Sequence, residues 1–343
     1  MAADNDLYSY ALGDLSEMED IGSTNNVNII VIFDGPSQGD SRYYYVQQGS
    51  LLTVGTPGEL NMGDEQTVKT TVGWAFNNYP ANHYALVFWD HGSGWHKDNL
   101  PTYKYVCYDD SSGGDALDNT EIDGALAWLR ANTPASVIDL IGFDACLMQM
   151  IEIAYYLKDD GNVMVGSEET EGGDGWAYNQ FLNYLVATPT MTAATLGTKI
   201  AQAFVAIPDS TLSALDLSKI SNLATKVDAL AINLISAGGT SNSKIYNAFY
   251  DTLYFYDYDY VDLYDFANNL IAQNVNTNIN SAAAALKTAQ DAAVIYHGHG
   301  FPQYAAEHGI SIYFPDPNYS SYDSAYGDLD FAIDTHWDEF IEF

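Results

Sequence analysis

Three short apolar runs, each stopping at an aspartate, constrain this chain more than any other feature. Residues 27–33 (VNIIVIF) stop at Asp34-Gly35, 84–89 (YALVFW) at Asp90-His91-Gly92, and 137–143 (VIDLIGF) at Asp144-Ala145-Cys146. Continuous β-branched and aromatic runs of this length suit strands buried on both faces, as in a parallel sheet with helical crossovers. Helix-patterned stretches lie between and after them: 64–77, 120–130 behind a Thr120-x-x-Asp123 capping box, and 148–157, with a strand at 162–166 next. Residues 42–47 (RYYYVQ) read as a more exposed strand or hairpin arm, and 103–108 as a short strand. The alternation predicts an α/β fold with a mostly parallel central sheet.

The second half reads as more helical: 176–186, 193–207, 219–236, 244–254, 261–273 and 281–289, with late strands at 292–296 and 310–314. No Pro/Gly linker or shift of composition divides the chain, and no repeat of solenoid length appears. We therefore expect a single elaborated domain over 1–343, its core sheet mainly in 25–170 plus late strands in 290–315, with helical additions over 176–290. Residues 254–264 (YFYDYDYVDLY) alternate aromatic and acidic. They read as a solvated loop with rings packed one way and carboxylates in water, the other reading being a ligand or cation surface.

Charge narrows the function classes. Eleven Lys+Arg stand against 46 Asp+Glu, a formal −35. Unspecific nucleic-acid binding needs clustered Lys and Arg and is excluded, and docking on anionic membranes is disfavoured. The field instead gathers cations and basic partners. No run approaches about 18 apolar residues, so no membrane insertion is expected. At 47% hydrophobic the chain is apolar enough to exclude wholesale disorder. The two cysteines, Cys107 and Cys146, cannot make a disulfide scaffold. The opening Met1-Ala2-Ala3-Asp4-Asn5-Asp6 lacks the basic start of a secretory signal, which fits either an intracellular protein or one whose leader has been replaced.

Open parallel sheets bind ligands beyond the carboxyl ends of their strands. His91 and Cys146 both leave strands there. A thiolate is a nucleophile, and histidine can serve as its base and later protonate the leaving group. A helix starting near Met148 would lower the Cys146 pKa, and Gly92 lets a backbone N–H approach a developing oxyanion. Each piece alone has an ordinary reading: a small buried cysteine, a turn at His-Gly.

The wording of the two segments adds a resemblance. Trp89-Asp90-His91-Gly92-Ser93-Gly94-Trp95 and Gly142-Phe143-Asp144-Ala145-Cys146-Leu147-Met148 resemble the catalytic signatures of the clostripain family of cysteine peptidases. The 55-residue step from His91 to Cys146 fits the His-before-Cys order of the caspase-like clan, where about 50 is usual. Val165-Gly166-Ser167-Glu168-Glu169, Gly175-Trp176-Ala177-Tyr178, Asp262-Leu263-Tyr264-Asp265-Phe266 and Gly309-Ile310-Ser311-Ile312-Tyr313-Phe314-Pro315 continue the likeness.

The resemblance implies a caspase-like α/β/α sandwich and a cysteine endopeptidase cutting after Arg or Lys through a thioester acyl-enzyme. In that reading Cys146 is the nucleophile and His91 the base and acid, with the Gly92 and Cys146 N–H groups holding the oxyanion. Asp144 matches the acid that selects the basic residue; a helix N-cap is its structural alternative. Glu168, Glu169, Glu171 and Asp174 extend the acidic wall or form a solvated loop. Partners would be basic peptides, with self-cleavage at Lys97 or Lys104. The likeness also implies an extracellular or cell-surface location.

The rival is a catalytically inactive surface or binding protein retaining the fold, suggested by the Tyr- and Asp-rich second half. A dyad enzyme acting on a non-peptide carbonyl is a third reading. No metal ligand set is assigned: His297-Gly298-His299 is a poor pair without a partner, and calcium, which supports some relatives, finds no EF-hand spacing. His83, His96, His308 and His336 have no assignable partner, Cys107 reads as a buried small residue, and Trp95 and Trp176 as core or pocket-wall aromatics. No phosphate loop or dinucleotide fingerprint calls for a further cofactor.

Overall fold

The computed structural model describes residues 1–95, 105–206, 210–318 and 320–342. Its centre is a five-stranded sheet in the order β11-β9-β8-β7-β4. Here β4 is Ala85–Trp89, β7 Ile138–Asp144, β8 Gly161–Gly166, β9 Thr211–Asp216 and β11 Val294–His299. β4, β7 and β8 are parallel, β9 runs against β8, and β11 runs against β9, so four of the five strands point one way. The expected mostly parallel sheet is present.

The remaining strands differ from expectation. β1 (Ile30–Phe33) pairs antiparallel with β2 (Ser41–Gln47), which pairs with β3 (Ser50–Gly58) in a separate sheet. It therefore has an antiparallel partner where a parallel one was expected. Met1–Asp4 joins the two sheets: the Ala2 amide donates to the Trp89 carbonyl at 3.2 Å and the Ala3 amide to the Asp34 carbonyl at 2.8 Å. Beside this junction a cavity of about 770 Å³ separates β1 from β4, lined by Ile30, Val31, Phe76, Phe88 and Leu182. β5 (Val106–Asp109) and β6 (Asp115–Leu117) form a small hairpin, while β10 (Tyr260–Asp262) pairs with β12 (Ser311–Tyr313) away from the central sheet. The late strand expected at 310–314 thus exists but is not a core strand. The one expected at 292–296 begins at Val294, after the preceding helix ends.

Helices cover both faces. α1 (Tyr8–Ile21), α5 (Tyr178–Ala187) and α6 (Ala193–Phe204) share an apolar cluster with Val163, Val165 and Trp89. α2 (Glu65–Asn78), α3 (Asn119–Asn132), α4 (Ile151–Leu157), α7 (Ile220–Ser236), α8 (Ser243–Tyr250), α9 (Leu263–Gln273) and α10 (Thr277–Ala293) belong to the cluster holding Phe88 and Met164. Val163/Val165 and Met164 go to opposite faces because successive side chains alternate across a strand. Two short helices, α11 (Asp330–Ile333) and α12 (Trp337–Ile341), pack into the second cluster. The later helices are therefore layers of the sandwich more than additions to it. α3 starts two residues early: Asp118 and Glu121 form the capping box, not Thr120 and Asp123, because Glu reaches back to the cap amide where Asp is short.

Candidate active site

β4 and β7 are neighbours in register, with Trp89 opposite Asp144, and the Asp90 amide continues the ladder by donating to the Asp144 carbonyl at 3.2 Å. His91-Gly92 and Ala145-Cys146 therefore leave the sheet side by side at its carboxyl edge. Contact is tight: a Cβ on Gly92 would collide with the Cys146 carbonyl oxygen and lie 3.1 Å from the Cys146 nitrogen and Ala145 Cβ. Only glycine lets these two turns pass so closely.

Each key side chain has a partner from elsewhere in the chain. His91 Nε2 lies 2.7 Å from Asp6 Oδ1, while Asp90, buried beneath it, accepts from Asn5 Nδ2 at 2.7 Å and from the Tyr108 amide. Cys146 Sγ accepts the Glu171 N–H at 3.2 Å. The chain then turns through Leu147 at φ +64°, a left-handed conformation that costs a residue with a Cβ of order 1–3 kcal/mol. The Leu147 amide donates to the Glu169 carbonyl at 3.1 Å, which holds the turn.

The expected helix field on Cys146 is not there. α4 begins at Ile151 and not near Met148, with Met150 at its cap, so the thiol lies more than a turn from the helix end. Burial instead pushes the Cys146 thiol above its ordinary value, with the charges of Glu169 and Asp144 adding to it and the Glu171 N–H opposing. Cys146 accordingly rests as a neutral thiol.

Asp144 caps no helix. It is 4% exposed, and its oxygens accept the Trp176 N–H at 3.2 Å and the Tyr178 hydroxyl at 2.8 Å. Gly175, at φ +56°, brings the backbone in so close that a Cβ would sit 2.9 Å from Asp144 Oδ1. Burial raises Asp144 to about 6 despite those hydrogen bonds. The buried Glu171 carboxyl lies against it and is pushed well above the carboxylate range, by burial first and then by Asp144 and Cys146. Asp144 is among the causes that hold Glu171 up, so Glu171 is the harder of the two acids to ionise.

The other acidic residues of the expected wall separate from this pair. Glu168 turns inward to accept the Gly309 N–H at 3.0 Å, Glu169 accepts from the Thr170 and Tyr256 amides, and Asp174 is exposed. Sequence reasoning missed Asp6 as a partner of His91 and did not single out Glu171 from its acidic neighbours. Asp6 lies 85 residues from its partner, and no local pattern marks it.

Groups read as partnerless are partnered. His297 and His299 each place Nδ1 3.1 Å from Glu307 Oε1, so the carboxylate that seemed absent stands between them. His83 pairs with Asp139, His336 with Asp228, and His308 stacks on Tyr264 with ring centroids 4.0 Å apart. Trp95 and Trp176 are buried, as is Cys107, whose thiol burial pushes up to about 12. Lys97, Lys104 and His96 lie outside the described residues. Among the described residues, no helix is long and apolar enough to cross a membrane.

Comparison with known proteins agrees with the geometry. All of residues 1–343 match the sequence profile of the Clostripain family, peptidase C11. Clostripain of Hathewaya histolytica is 26% identical, the match covering 93% of this chain and 74% of that protein. Among solved structures, a secreted C11 cysteine protease from Bacteroides thetaiotaomicron, in complex with an irreversible peptide inhibitor, superposes with a TM-score of 0.76. It is 22% identical and covers 98% of this chain and 97% of its own. An inactive zymogen C11 protease from Parabacteroides distasonis gives 0.71 at 19% identity, over 97% and 95% of the two chains.

Proposed function

The chain belongs to the clostripain family of C11 cysteine proteases and has their caspase-like fold, and from that premise we infer that it is an endopeptidase cutting after Arg or Lys. The observation that carries the basic preference is the buried Asp144–Glu171 pair two and 25 residues from Cys146. A guanidinium or ammonium entering beside it favours the ionised form of both acids and meets two carboxylates. Such charge-assisted, desolvated contacts are the strong ones.

Cys146 and His91 supply the chemistry. Asp6 lies 2.7 Å from Nε2 and orients the ring. The Cys146 thiol gives its proton to His91 as sulfur attacks the scissile carbonyl, forming the C–S bond and placing charge on the carbonyl oxygen. The N–H groups of Gly92 and Cys146 receive that oxyanion, and one such donor is worth roughly 10²–10³ in rate. The imidazolium then protonates the departing amine as the C–N bond breaks. Water, deprotonated by His91, cleaves the thioester, and acid and thiol return. The raised thiol pKa delays formation of the ion pair until substrate is present, which protects the resting cysteine.

Self-cleavage after Lys97 or Lys104 belongs to the same reading, since both lie between the two motifs. So does an extracellular setting, in line with the secreted Bacteroides relative. Hydrolysis of peptidyl-Arg and peptidyl-Lys reporter amides tests the function. Wild type is expected to release the reporter and Cys146→Ala to fall to the uncatalysed background; turnover that survives in Cys146→Ala overturns the mechanism. Intact mass of both proteins reports self-cleavage in the same preparation.

A further inference from the structure

We propose that the tyrosine-rich stretch 250–258 forms a second subsite for the peptide substrate, one that receives another basic side chain away from the scissile bond. Only some of its rings pack as a solvated loop would require. Phe255 and Tyr260 turn inward and are buried, whereas Tyr250, Tyr254, Tyr256 and Tyr258 are each exposed by 53% to 73%. The Tyr254 and Tyr258 rings lie together, with centroids 5.0 Å apart. With Glu169 and Asp251 these four tyrosines line a cleft of about 1010 Å³, whose described lining holds no lysine or arginine. Clustered rings left in water mark a contact surface, and tyrosine is among the side chains that anchor such contacts.

Continuity with the catalytic edge names the occupant. Glu169 serves both places: its carbonyl accepts the Leu147 amide behind Cys146, and its Oε1 accepts the Tyr256 amide at 3.1 Å. The far end of the stretch is fixed to the histidine turn. There the Tyr260 hydroxyl donates to the Ser93 carbonyl at 2.7 Å, and a Cβ on Gly94 would lie 2.7 Å from the Tyr260 ring. Between these ends Asp257 holds a tight turn, accepting the Asp259 amide on its side chain at 2.9 Å and the Tyr260 amide on its carbonyl at 3.0 Å. The rings are therefore positioned by both turns that carry the proposed dyad, and a peptide extending from Cys146 past Glu169 meets them.

Charge selects among the side chains such a peptide offers. Ring faces attract a guanidinium or ammonium, and Glu169 and Asp251 add opposite charge. A neutral side chain gains only the rings, and an acidic one meets like charge. Calling the ligand a substrate rests on the peptidase reading; attraction of a basic peptide to the cleft does not.

A positional scan with the full chain tests the proposal. Internally quenched peptides carry one Arg at the scissile bond, and each flanking position holds Lys, norleucine or Glu in turn. At one position Lys is expected to raise kcat/KM about 10-fold over norleucine, mainly through KM, the scale of several exposed cation–ring contacts. Combined Tyr254→Ser, Tyr256→Ser and Tyr258→Ser should bring that ratio close to one, while Tyr184→Ser, an exposed ring on α5, keeps it. The ratio is taken within one protein, so a loss of folded fraction cancels. No position favouring Lys over norleucine, or a Lys preference that survives the triple substitution, overturns the proposal. Anisotropy of the same peptides, labelled, on Cys146→Ala separates this inference from the functional one. Lys-dependent binding to a chain whose wild type cleaves nothing would sink the functional reading and leave the cleft standing. Cleavage without any dependence on Lys would sink the cleft alone.

Discussion

Asp144 shows how burial changes an ordinary carboxylate, and its proposed role as selector of a basic residue rests on that change. Its raised value of about 6 comes first from desolvation, and burial pushes the Glu171 carboxyl beside it well above its ordinary value. In the proposed role, Asp144 above that value is ionised and would receive a basic side chain; below it the acid is neutral and the attraction would be lost. KM for an Arg substrate is therefore expected to rise as pH falls through about 6. Asp144→Asn should lower kcat/KM for Arg substrates by about 10²–10³-fold, the scale of a desolvated charge left without its partner. A KM flat from pH 5 to 8, or an unchanged preference in Asp144→Asn, removes Asp144 from the pocket. The side-by-side placement of His91 and Cys146, with Asp144 next to them, was legible because all three lie within three residues of the end of an apolar run. Asp6 was not, since its relation to His91 exists only once the N-terminal segment folds across the sheet edge. The direction of the Cys146 shift was misread for a related reason: it depends on where α4 starts, and the sequence around Met148 carries no capping residue to show that.

Among elements, the β4 and β7 turns form the unit on which the account depends. Their register puts His91 and Cys146 side by side, and Gly92 sets how near the turns approach. Gly92→Ala is expected to leave the far-ultraviolet circular dichroism intact and to cut kcat by at least about 10²-fold, because the added methyl forces the two turns apart and misaligns an oxyanion donor. A variant with near-normal kcat would mean that the turns have slack and that Gly92 is not a donor. The strands carrying this unit were readable as continuous apolar runs. β9 was missed: its Thr-Leu-Ser-Ala-Leu-Asp mixes small polar residues into a buried strand, and Ser213 and Thr211 find their side-chain partners at Gln149, Gly309, Ser167, Glu168 and Glu169, which lie far away in sequence. The antiparallel pairing of 30–33 was hidden similarly, since a run buried on both faces does not state the direction of its neighbours.

At the scale of the molecule, acidity shapes stability as well as solubility. Burial raises Asp14 to about 9, Asp262 to about 8, and Asp34, Glu152 and Asp160 to about 7. In each case the folded state keeps a proton that the unfolded chain releases near pH 4. The folded protein thus binds more protons across roughly pH 4–8, and stability falls as pH rises through that window. Repulsion within a chain of formal charge −35 acts in the same direction. The melting temperature is expected to be several degrees higher at pH 5.5 than at pH 8; the reverse order would mean that these acids are ionised in the native state. In the proposed function the same acidity draws basic peptides toward the sheet edge, where Asp144 selects and Cys146 attacks one bond. The most direct test of that claim is covalent labelling with a peptidyl-Arg chloromethyl ketone, the adduct mapped by peptide mass and the rate compared with a peptidyl-Leu analogue. The account predicts a single adduct on Cys146, formed far faster with Arg than with Leu and absent in Cys146→Ala. An adduct on Cys107, or equal rates for the two reagents, would contradict it.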